Sequence, residues 1–326
     1  MKKLFRLIAM CLIGLGILIG SVAALFVYFV YSPEPDLPVL SGTFDKAFIQ
    51  WDGLKRSYRT YIPKGLAKGA PLLVVMHGSG QNGAQIRVET GYEFERLADK
   101  HGFAVVYPDA YTSDWNDCSI VGDYSVNGKN VDDTGFLVAL VDKLAGDFDT
   151  DRGRVFATGV SAGGFMSFRL ALEASSRFRA VAAVSANVPT SRNFKCKPSG
   201  HGTSVMIMNG TSDPLVPFGG GEVNLLGLFF KGGNVLSSMQ SAQYFAGMNK
   251  ITAAPSIAHS VAGESVGVDR YLWHREERVN VELVAIQSGG HGLPQPYYRR
   301  ARLLGPSPMA PNGAEIIWAF FEKQQR

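Results

Sequence analysis

The chain has 326 residues, 46% of them apolar, and 32 Lys and Arg against 28 Asp and Glu give a net charge of +4. That apolar content excludes a disordered protein, and the near balance of charge excludes a nucleic-acid binder built on a basic surface. Three cysteines are too few for a disulfide-built scaffold.

Lys2, Lys3 and Arg6 precede the uncharged run 7–30, in which only Gly14, Gly16, Gly20 and Ser21 are not apolar. As a helix these 24 residues reach about 36 Å, enough to cross a hydrocarbon core of roughly 30 Å. The flanking cations favour a cytoplasmic N-terminus and export of everything after the run. Residues 1–31 are therefore expected to be a signal anchor. The alternative is a signal peptide cut near Ser21-Val22-Ala23 and a secreted product, but the apolar run continues past that site. Residues 32–43, with Pro33, Pro35 and Pro38, read as a stiff spacer that holds the globule off the bilayer. Without the three leading cations, 29 basic residues face 28 acidic ones, so the exported part is close to neutral.

From 44 to 326 apolar strands alternate with helices. Strands are expected at 47–51, 56–62, 71–76, 103–107, 154–159, 181–185, 204–208 and 281–286. Helices are expected at 92–101, 135–148, 162–174, 236–249 and 314–323. This pattern predicts one α/β domain with a mostly parallel sheet covered on both faces, preceded by a single transmembrane helix.

Gly159-Val160-Ser161-Ala162-Gly163 is a G-x-S-x-G sequence lying between a predicted strand and a predicted helix, the placement of a nucleophile elbow. A serine hydroxyl needs a base. Of the six histidines, His291 stands in Gly289-Gly290-His291-Gly292 just after the last predicted strand, where a mobile glycine-flanked loop could bring it over the serine. His259 and His274 lie in a polar stretch, and His201 precedes its strand. Asp213, after the strand at 204–208, is the expected acid, with Asp269 the alternative; Asp132 and Asp133 are expected to cap the next helix. The N–H groups of Ala162 and Ser79 are the candidate oxyanion donors.

The segments His77-Gly78-Ser79-Gly80-Gln81, Trp115-Asn116-Asp117-Cys118, 130–137, 159–164, 209–214 and 289–294, taken in order, resemble the α/β-hydrolases, and more narrowly the polyhydroxybutyrate depolymerase-like and feruloyl esterase-like family. The resemblance implies a serine esterase with the triad Ser161, Asp213 and His291. The family commonly carries Trp two residues after the histidine; here Gly292-Leu293-Pro294 has none, which points to small esters rather than solid polymer. A peptidase or thioesterase, or a tethered binding protein, would use the same fold. Trp115 is a candidate pocket residue or a core residue, and the loop 217–234 is expected to shape the pocket. Cys118 and Cys196, the cysteines outside the apolar run, form either a bridge or two free thiols. No cofactor, metal or nucleic-acid partner is expected: the acidic run 147–153 has Arg152 where a calcium loop needs glycine.

Overall fold

The computed structural model describes residues 2–121, 125–126, 129–225, 227, 231–275 and 278–324. Helix α1 (Lys2–Phe29) has a mean hydropathy of 2.5 and no buried residue, so by length and composition it can cross a membrane. The proline-rich segment after it lies against the globule at both of its ends. Ser32 Oγ donates to the Arg299 carbonyl, and the Arg302 guanidinium lies 4.1 Å from the centre of the Tyr28 ring. At the other end, Ser41 donates from its N–H and its hydroxyl to Asp99 at 2.8 and 2.7 Å. The prolines keep the backbone extended, but the hydroxyls at both ends find acceptors on the globule, so the segment is fastened to it.

The main sheet has ten strands. In chain order they are β1 (Thr43–Trp51), β2 (Leu54–Ile62), β3 (Leu72–Met76), β4 (Ala104–Pro108), β5 (Val155–Val160), β6 (Ala180–Val184), β7 (Ser204–Gly210), β8 (Ser256–Ala262), β9 (Val266–Arg275) and β10 (Arg278–Ile286). Their spatial order is β1-β2-β4-β3-β5-β6-β7-β10-β9-β8. The strands from β4 to β10 in that order pair in parallel, while β1, β2, β9 and β8 are antiparallel additions at the two edges. The chain therefore has the mostly parallel, helix-covered α/β sheet anticipated from the strand–helix alternation.

The central strands are apolar on both sides because helices cover both faces. In β3, Leu72, Val74 and Met76 join the core formed with α4 (Asp133–Phe148), α5 (Ala162–Glu173) and α6 (Ser238–Met248). Leu73 and Val75 point the other way, toward α2 (Gly83–Glu89), α3 (Glu93–His101) and α7 (Gly313–Lys323). Successive side chains of a strand alternate faces, so one five-residue run serves both layers.

Of the main-sheet strands and the α-helices, three escaped the sequence reading. Strand β8 buries no side chain, so it has no apolar signal, and β9 buries only Val268 and Trp273. Helix α2 is seven residues long and begins at Asn82-Gly83, a pair that reads as a turn; the Asn82 side chain caps it by accepting from the N–H groups of Ala84 and Gln85. Asp133 is also corrected. Asp132 caps α4, but Asp133 is buried and pairs with Arg56 at 2.6 Å.

Candidate active site

The turn from β5 into α5 places Ser161 with φ 57° and ψ −121°, a region that costs a non-glycine residue about 1–3 kcal/mol. Its small neighbours make the turn possible. A Cβ on Gly159 would stand 2.4 Å from the Gly163 backbone, and one on Gly163 would stand 2.3 Å from the Met76 carbonyl oxygen. Ser161 N–H donates to the Val184 carbonyl at 2.9 Å, which fixes the turn against β6. Its side chain faces a cleft of about 310 Å³ whose walls include Ser79, Ala162 and His291.

Asp213 lies just past the end of β7. Its Oδ1 accepts from the N–H groups of Leu215 and Val216 at 2.8 and 2.9 Å, and its Oδ2 meets His291 Nδ1 at 2.8 Å. With Nδ1 donating to the carboxylate, Nε2 is left without a proton in the neutral ring. Both side chains are buried. Among the described residues Ser161 Oγ and Nε2 share no hydrogen bond; they face one cleft, and such bonds commonly tighten only when substrate binds.

The loop that carries His291 is held rather than mobile. His291 N–H donates to the Leu304 carbonyl at 2.7 Å, Gly290 N–H to that of Pro306 at 2.7 Å, and Gly292 N–H to Ser185 Oγ at 2.8 Å. Its glycines serve close approach: a Cβ on Gly290 would stand 2.5 Å from the Leu304 carbonyl oxygen.

Opposite, the loop after β3 is organised by His77. Its Nε2 accepts from the Ala110 N–H at 3.0 Å and its Nδ1 lies 2.7 Å from the Gly78 carbonyl, so Nδ1 carries the single proton. Burial lowers the His77 pKa to about 4. Gly78 N–H is taken by Gln81 Oε1 at 3.0 Å and Gly80 N–H by the Ser113 carbonyl at 2.8 Å. Ser79 N–H, between them, has no acceptor among the described residues. A Cβ on Gly78 would lie 3.5 Å from Ser161 Cβ, so the loop stands beside the serine.

Trp115 is not a pocket residue. It is fully buried, donates from Nε1 to the His77 carbonyl at 2.9 Å, and lies 5.0 Å from the His77 ring. The segment around it does reach the cleft, through Asp114, Asp117, Ser119 and Val121. Burial raises the pKa of Asp114 against the opposing bond from Ser79. It raises that of Asp117 to about 6 against bonds from Ser119. Cys118 and Cys196 are bridged, with Cα atoms 4.9 Å apart. Lys195 N–H donates to the Cys118 carbonyl and Ile120 N–H to that of Asn193, so the bridge and these bonds fasten this wall to 193–196. Of the loop 217–234, Val223, Lys231 and Gly232 line the cleft; residues 226 and 228–230 lie outside the described residues.

A set of side chains that sequence reasoning missed joins the two loops. Gln81 Nε2 donates to Glu89 Oε1 at 2.5 Å, Glu89 pairs with Arg300, and Arg300 Nη1 donates to the His291 carbonyl at 3.2 Å. Arg300 lies 211 positions from Glu89, and Glu89 ends the unpredicted helix α2, so no local pattern could reveal the link. The alternative acid, Asp269, instead pairs with His259 at 2.6 Å across β8 and β9, on the exposed edge of the sheet. No group of three potential metal ligands occurs among the described residues.

The sheet order and the serine on the strand–helix turn define an α/β-hydrolase. The fold is also that of an acetyl xylan esterase from Aspergillus awamori, with a TM-score of 0.57, 16% identity, and coverage of 77% of this chain and 94% of that one. Residues 56–216 match the family described as Esterase PHB depolymerase. NocK of Nocardia uniformis subsp. tsuyamanensis, a protein named as an esterase, is 31% identical over 58% of this chain and 54% of its own length. A protein named as feruloyl esterase C from Aspergillus terreus is 26% identical over 82% of this chain and 83% of its own. The chain spans about half or less of the length of the first curated relatives it matches.

Proposed function

We propose that the protein is a serine esterase that hydrolyses small carboxylic esters of hydroxyalkanoate, aryl or acetyl type. The observation that carries this reading is the His291–Asp213 pair at 2.8 Å sharing a cleft with a serine in a left-handed elbow. His291 Nε2 takes the Ser161 proton, and Ser161 Oγ attacks the ester carbonyl. Ala162 N–H, at the start of α5, and Ser79 N–H, which has no acceptor among the described residues and whose loop stands beside Ser161, hold the oxyanion, each worth about 3–4 kcal/mol in the transition state. The imidazolium, stabilised by Asp213, gives its proton to the leaving alcohol, and water then releases the acyl group by the same route.

In this reading residues 1–31 are a signal anchor, 32–43 a linker and 44–326 the catalytic domain, held outside the cytoplasm. The positive flank and the length of α1 support that topology. Replacing Ser161 by Ala is expected to abolish p-nitrophenyl acetate turnover and fluorophosphonate labelling while leaving the circular dichroism spectrum and the melting temperature intact. Retained turnover in a folded Ser161→Ala protein would refute the assignment.

A further inference from the structure

The end of α1 and one wall of the cleft are the same piece of structure. Arg300 and Leu304 line the cleft, and the Leu304 carbonyl holds the His291 N–H. Between them Arg302 stacks on Tyr28 in the last turn of α1, and just before them the Arg299 carbonyl accepts from Ser32. A helix that crosses a bilayer from the cytoplasm ends with Tyr28 and Tyr31 at the far interface, where tyrosine is favoured. Whatever touches Tyr28 is then at that interface too.

The segment is composed for such a place. Residues 283–314 contain no acid and three arginines, Arg299, Arg300 and Arg302. Arg300 is occupied by Glu89 and His291, whereas Arg299 and Arg302 are exposed. Tyr297 beside them is 49% exposed. Across the cleft Val121 lines the wall and is 40% exposed, and its neighbour Ile120 is 54% exposed. Arginines beside exposed tyrosine and aliphatic side chains match an anionic headgroup layer over hydrocarbon.

We propose that the cleft opens against the outer surface of the bilayer and that its substrates are esters of amphiphiles resident in an anionic leaflet. This rests on the esterase and anchor readings above, and it extends the substrate class from small esters to long-chain esters held in the bilayer. The test uses the full chain in vesicles of phosphatidylcholine and phosphatidylglycerol, with p-nitrophenyl palmitate in the bilayer and p-nitrophenyl acetate in the water. The double variant Arg299→Glu, Arg302→Glu is expected to lower palmitate turnover about tenfold and to leave acetate turnover within about twofold. Omitting phosphatidylglycerol should lower palmitate turnover by the parent in the same way.

A second measurement does not depend on activity. A fluorophore on Tyr297→Cys, in a Cys11→Ser background, is expected to be quenched by lipids that carry a headgroup nitroxide. An unquenched label, or equal turnover of palmitate by parent and double variant, overturns the proposal while acetate turnover keeps the esterase reading. Absence of acetate turnover in the parent removes that reading and the substrate class with it, and the quenching still decides where the cleft lies.

Discussion

His77 has no exposed surface, and both its ring nitrogens are committed, one accepting and one donating. A proton added to Nε2 would lose the Ala110 bond and place a charge in the core. The folded pKa of about 4 lies below the ordinary 6.5, so this residue costs nothing above pH 6.5 and weakens the fold progressively as pH falls through 4, by up to about 3 kcal/mol. Asp117 acts in the opposite sense. Its folded pKa of about 6 lies above 3.8, so its contribution is complete below 3.8 and is lost as pH rises through 6. The two slopes overlap, and only a variant separates them. In urea titrations at pH 7 and pH 4.5, His77→Asn is expected to lose less stability on acidification than the parent. A parallel loss in both proteins would contradict the neutral, doubly bonded ring. Ser161, Asp213 and His291 could be picked out in the sequence because each follows a strand and their chain order is informative. Gln81, Glu89 and Arg300 could not, because their link exists only after α2 and the segment following His291 have been folded together.

At the level of elements, the parallel strands were legible because burial on both faces leaves a continuous apolar run, as in Leu72–Met76. The β8–β9 hairpin was not, because its outermost strand meets water on both faces and its sequence has no reason to alternate. Glycines at element ends were seen as turn signals, but their main effect is steric. A Cβ on Gly210, at the end of β7, would stand 2.2 Å from the Gly289 carbonyl oxygen. Gly210→Ala is expected to destabilise by about 1–3 kcal/mol and to lower kcat by moving the His291 loop away from Asp213. Gly146→Ala, within α4 and with nothing near its added methyl, is expected to raise stability by about 0.5–1 kcal/mol with kcat unchanged. Thermal melts and ester kinetics on the pair measure both effects; equal behaviour of the two variants would contradict the steric account.

For the whole molecule, the Cys118–Cys196 bridge spans 78 positions. Closing a loop of that size in the unfolded chain contributes about 4–5 kcal/mol on the entropic view. Cys118→Ala with Cys196→Ala is expected to lower the urea midpoint accordingly, and also to raise KM, because Asp117 and Ser119 on the cleft wall flank Cys118. A fall in stability with KM unchanged would show that the hydrogen bonds to 193–195 hold that wall alone. The partners of the bridge were readable as candidates only, since sequence distance carries no information on Cα separation.

The segment between Ser32 and Ser41, fastened at Arg299 and at Asp99, also removes a freedom that a tethered enzyme usually keeps. A globule on a loose leash tumbles and samples the solution around it. In the anchored reading proposed above, a globule fastened at both ends of its leash keeps one bearing relative to α1, and as that helix drifts in the bilayer the cleft drifts with it at constant height and tilt. Encounters with membrane-borne molecules then become a two-dimensional search, governed by how many substrate molecules occupy each unit of surface. Diluting the vesicles in buffer would leave that rate untouched, whereas diluting the substrate with inert lipid would slow it in proportion.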